Sequence, residues 1–169
     1  MVVSTCHARR VAAALATSGA FAAAVPSAAA GAPDITVGAG TYVGPEGRTL
    51  SVTVAAASEN GAQPRGSFVV DAEIPSIGFD VRERATVTCH RVTGNLALMY
   101  GRLAHPVELE GEQYPAMLLV INDEGTPGTG RDDVAFGLAP DLPGGCTGGD
   151  EPFDFESDIT RGDFQVFDR

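Results

Sequence analysis

Residues 84–103, Arg84-Ala85-Thr86-Val87-Thr88-Cys89-His90-Arg91-Val92-Thr93-Gly94-Asn95-Leu96-Ala97-Leu98-Met99-Tyr100-Gly101-Arg102-Leu103, decide the fold class. Ala85, Val87 and Cys89 alternate with Arg84, Thr86, Thr88 and His90, the period of two expected of a half-buried strand. Thr93-Gly94-Asn95 then offers a hairpin turn, and Leu96 to Leu103 supplies the returning strand. Two β-rich runs joined so tightly must lie antiparallel.

The same period recurs on both sides of this hairpin. Upstream, Ile35 to Val43 reads as a weaker first strand. Leu50, Val52 and Val54 alternate with Thr49, Ser51 and Thr53, and Phe68, Val70 and Ala72 with Ser67 and Asp71. Downstream, Ala116 to Ile121 is continuously apolar, as expected of a central strand covered on both faces. Val134, Phe136 and Leu138 form a seventh strand, and Phe164 and Val166 a last one. No helix-period segment competes. The expected fold is all-β, an antiparallel β-sandwich or closed barrel of about seven or eight strands in one domain, residues 31–169. Two connections are long, 124–132 and 140–158.

Residues 1–30 read differently. Arg9-Arg10, the alanine-rich run from Val11 to Val25 and the small residues Ser27 to Ala30 have the layout of a secretory signal peptide. The apolar run is short for a membrane span, and no stop-transfer segment follows. The expected product starts near Gly31, is secreted or extracellular, and has no membrane insertion after cleavage. Its partner is expected outside the cell or at the envelope.

Cleavage removes two arginines and no acid, taking the formal charge from −11 to −13. Such a surface repels nucleic acid and anionic lipid, leaving solubility, cations or a basic partner as its uses. Every basic residue apart from histidine is arginine, which together with abundant alanine and glycine points to a GC-rich genome. Cys6 departs with the leader. Cys89 and Cys146 remain as a single possible pair in an oxidising compartment. Bridging them closes a loop worth about 4 kcal/mol in the chain-entropy model.

The order of motifs from Val87 to Asp168 carries a resemblance. Val87-Thr88-Cys89 is followed by Val92-Thr93-Gly94-Asn95, then Val120-Ile121-Asn122-Asp123-Glu124-Gly125-Thr126-Pro127-Gly128. Arg131-Asp132, a proline-rich loop with the second cysteine, and Gly162-Asp163-Phe164-Gln165-Val166 complete it. This pattern resembles secreted β-proteins of GC-rich bacteria, similar in turn to the small "post-COAP"-type β-domains of bacterial surface proteins. The resemblance implies a β-sandwich with a disulfide. Its motifs are turns and strand ends, and no catalytic residue is carried over.

Chemistry is sparse. Asn122, Asp123 and Glu124 precede a glycine-rich turn, and Asp132 and Asp133 follow it, so a hairpin would bring the two clusters together. Hard oxygen donors converging on a glycine turn suit calcium. The spacing matches no EF-hand loop, however, and a solvated hairpin held by Asx turns accounts for the same residues. No cofactor is expected, with calcium as the alternative. In 150–158, Phe153 and Phe155 are expected to anchor an acidic loop on the core. His90 and His105 are the histidines left after processing, and neither Gly-x-Ser-x-Gly nor His-Glu-x-x-His occurs. Arg161-Gly162-Asp163 reads as the start of a strand, with glycine easing a bend. The expected function is a secreted, non-catalytic binding or structural β-module. A calcium-stabilised adhesion-type domain and a carboxylate-based hydrolase are the alternatives.

Overall fold

A computed structural model describes residues 32–44, 47–59, 61–125, 132–142, 144, 146 and 159–169. The leader reading, the Phe153–Phe155 loop and the tip of the 124–132 connection, with Arg131, lie outside the described residues. Eight strands follow one another: β1 (Asp34–Val43), β2 (Thr49–Glu59), β3 (Ala62–Ile74), β4 (Phe79–Thr93), β5 (Leu96–Leu109), β6 (Glu112–Asn122), β7 (Asp133–Ala139) and β8 (Arg161–Phe167). A single 3-10 turn, Pro75–Ile77, separates β3 from β4. All neighbours pair antiparallel in one sheet of order β7-β6-β5-β4-β3-β2-β1-β8. Strands β1 to β7 form a meander and β8 pairs with β1, so the curled half-barrel has β7 and β8 as its edges; the described residues contain no α-helix.

Local sequence explains two of the reversals. Gly94 has φ +60°, as the first loop position of a two-residue II′-type hairpin requires. Glu110 and Gly111 both have positive φ (+55° and +84°), the signature of an I′ turn, and join β5 directly to β6. Strand β5 therefore runs on through His105 and Pro106, beyond the Leu103 end expected from the sequence. Proline brings no ladder N–H, and the register shifts between Arg102 and Val107 to accommodate it.

A bulge in β4 reverses part of the expected facing. Val87 pairs with Gly101 but Cys89 pairs with Tyr100, leaving Thr88 as an extra residue. An added residue moves everything beyond it to the opposite face. His90 and Val92 consequently turn inward, whereas Cys89 turns outward.

The concave face holds the main core, including Phe68, Val70, Met99, Met117, Leu119, Ile121, Ile159 and Phe164. A smaller cluster of Cys89, Leu98 and Val120 occupies the convex face with Leu96, Tyr100, Leu118, Ala135 and Cys146. Strand β6 feeds both clusters: Met117, Leu119 and Ile121 point inward, and Leu118 and Val120 outward. That accounts for its unbroken apolar run, although β6 is next to an edge rather than central. Fully burying one such side chain contributes about 1.5–3 kcal/mol. Gly101 completes the inner packing. A β-carbon there would stand 2.6 Å from that of Ala85 and 2.8 Å from the Phe68 ring, so only glycine lets that ring lie across β5.

Candidate functional site

Cys89 and Cys146 form a disulfide, with 5.3 Å between their Cα atoms. The bulge makes it possible by placing Cys89 on the outer face, where Cys146 packs. Arg91 Nη1 donates to the Cys146 carbonyl at 3.3 Å and holds the same residue in place. The bridge thus covers the outer apolar cluster and adds no accessible thiol.

The acidic residues do converge at one hairpin mouth, since Asn122 pairs with Asp133 across β6 and β7. Asn122 accepts from Asn95 Nδ2 at 2.8 Å and donates to Asp133 at 3.5 Å. Asp132, only 4% exposed, accepts from the backbone N–H of Glu124 (3.2 Å) on one oxygen and of Phe164 (2.7 Å) on the other. Asp123 likewise accepts from Gly125 N–H (2.6 Å) and Val166 N–H (2.9 Å). Phe164 and Val166 belong to β8. The two carboxylates therefore bridge the connection at the start of β7 to the opposite sheet edge, helped by Ile159 N–H donating to the Asp132 carbonyl at 2.8 Å. Glu124 joins this arrangement through its backbone. Among the described residues, no three or more His, Cys, Asp or Glu side chains are grouped so as to hold a metal ion.

His90 is fully buried and ties β4 to β1 and β2, neither of which lies next to β4 in the sheet. Its Nε2 lies 2.8 Å from Thr36 Oγ1 on β1, and its Nδ1 3.0 Å from Ser58 Oγ on β2. Ser58 also donates to the His90 carbonyl at 3.0 Å. With that hydroxyl proton committed, Nδ1–H must donate to Ser58 and Nε2 accept from Thr36, which assigns the tautomer. Burial lowers the imidazole pKa, partly opposed by the charge of Asp34. All three side chains are sealed from solvent, so this Ser–His contact cannot meet a substrate. It is a polar tie through the core.

An accessible concavity lies at the end of the β5–β6 ladder away from the acidic hairpin mouth, and smaller ones lie at that mouth, beside Asp123 and Phe164, and over β1 and β2. Ile74, Phe79, Leu109, Tyr114, Phe136 and Leu138 line about 320 Å³ of space in the first. These residues come from five strands and are largely half-buried, although Phe79 is almost covered. The Phe79 and Phe136 rings lie 6.4 Å apart, tilted by 33°. The Tyr114 hydroxyl donates to Glu112 Oε2 at 3.1 Å. That bond, with burial and the charges of Glu112 and Glu110, raises the phenol pKa and keeps it a donor. Apolar walls with one oriented polar pair are what a small-molecule site needs. Sequence reasoning missed all six lining residues as a site.

No family model, curated protein or solved structure matches the chain.

Proposed function

We propose that this is a secreted, non-catalytic binding module of β-barrel rather than β-sandwich type, taking a small, largely apolar ligand in the crevice at its mouth. The crevice carries the reading: aromatic and aliphatic side chains gathered from five strands line an open space there. One continuous curled sheet, with β8 bridged to the β7 end by Asp132, supports the barrel description. The leader-like first thirty residues and the disulfide support an extracellular setting. His90 sits inside the core, and the Asp123 and Asp132 oxygens already hold backbone amides, which favours binding over catalysis. The resemblance to surface-protein β-domains fits the same role.

Titration with the neutral fluorophore N-phenyl-1-naphthylamine tests this reading. Saturable binding is expected, weakened about tenfold or more by Leu138→Asp, which sets a charge in the apolar wall. Thermal melts of the variant check that its fold is intact. Absence of saturable binding, or equal binding by a folded Leu138→Asp variant, would refute the proposal.

A further inference from the structure

We propose that the mouth crevice selects ligands that join a small apolar body to a cationic group, and that Glu112 is the cation's partner. The inference rests on the binding reading above and adds the ligand's charge. Register supplies the first support. Leu109 pairs with Glu112 and Val107 with Tyr114, and paired residues of an antiparallel ladder project from the same face. Glu112 therefore stands on the face that carries Leu109 and Tyr114, at the edge of the apolar lining. Its hydrogen bond from Tyr114 holds the carboxylate beside the phenol ring and leaves it further lone pairs to accept from an ammonium group.

The aromatic wall is the second support. Phe79, Phe136 and Tyr114 all line the space, and aromatic ring faces attract cations. Charge is the third. None of the six lining residues is basic, exposed Glu108 and Glu110 flank the β5–β6 turn, and the chain carries a formal −11. This field draws in a cation and repels a fatty-acid-like anion. At about 320 Å³ the space is near the small end of the ~300–1,000 Å³ typical of ligand sites, which suits a short alkyl or single-ring amine better than a peptide.

Calorimetric titration of the full exported chain with octylammonium, 1-octanol and octanoate holds the apolar body constant while varying charge. Octylammonium is expected to bind about fivefold or more tightly than octanol, with octanoate weakest. Glu112→Gln should shrink the advantage of octylammonium over octanol to within about twofold, each measured on the variant itself. Equal binding of octylammonium and octanol to the native protein would overturn this inference but leave the crevice reading standing. A preference for octylammonium that survives Glu112→Gln would overturn the assignment to Glu112. Failure of all three to bind would overturn both readings.

Discussion

The His90 imidazole sits where water cannot reach it, donating to one hydroxyl and accepting from another. Burial holds its pKa below the free value of 6.5, so the folded state disfavours the protonated form. The sign follows directly. As pH falls through about 6.5 the unfolded chain takes up this proton before the folded one, and stability declines until the folded value is passed. Urea unfolding at pH 7.5 and pH 5.0 should show a larger loss for the native protein than for His90→Gln. Equal losses would mean that His90 does not contribute to the acid response. The residue's position was hidden in the sequence. Strict alternation from Ala85 puts His90 outside, and one extra residue at Thr88 puts it inside. A bulge leaves no reliable mark in side-chain type, because threonine suits regular strand equally well.

At the scale of elements, β8 depends on side chains borrowed from elsewhere. An edge strand presents unpaired amides that would template another chain. Asp132 and Asp123 occupy those of Phe164 and Val166. Asp132→Asn replaces one acceptor oxygen by a donor facing an N–H, and should cost about 1–3 kcal/mol in chemical denaturation. A loss under about 0.5 kcal/mol would remove Asp132 from the bridge. Since both carboxylates already accept amides, melting in millimolar calcium should match melting in excess chelator. A rise of several degrees, abolished by Asp123→Asn with Asp132→Asn, would instead make the cluster a calcium site. The disulfide acts on the other face. Cys146→Ser should cost about 2–4 kcal/mol by opening the cross-link that holds residue 146 against Leu98 and Val120. A variant as stable as the native protein would contradict that role.

These elements show what sequence patterning can and cannot carry. All eight strands were visible in period-two alternation and in the continuous run of β6, and the convergence of Asn122, Asp123, Asp132 and Asp133 followed from a hairpin. The use of those carboxylates did not, because their partners on β8 lie 32 and 43 residues away. The Glu110-Gly111 reversal was missed because glutamate seldom takes positive φ, so its type does not announce a turn.

The two ends of the one curled sheet differ in kind. At one end Asp123, Asp132 and the β4–β5 turn tie edge strands together, and Gly94 N–H donates to Asp168 Oδ2 at 2.7 Å. At the other, six side chains from five strands leave an apolar hollow beside Glu112. No local stretch contains that hollow, so only the register of the complete sheet reveals it. Ligand binding in that hollow can be followed by methyl-resolved NMR during titration with 1-octanol. Saturable shifts are expected at Ile74, Leu109 and Leu138, with Val166, Leu98 and Val120 unmoved. Shifts centred on Val166 or on the Leu98–Val120 cluster, or no saturable shifts at all, would contradict binding there.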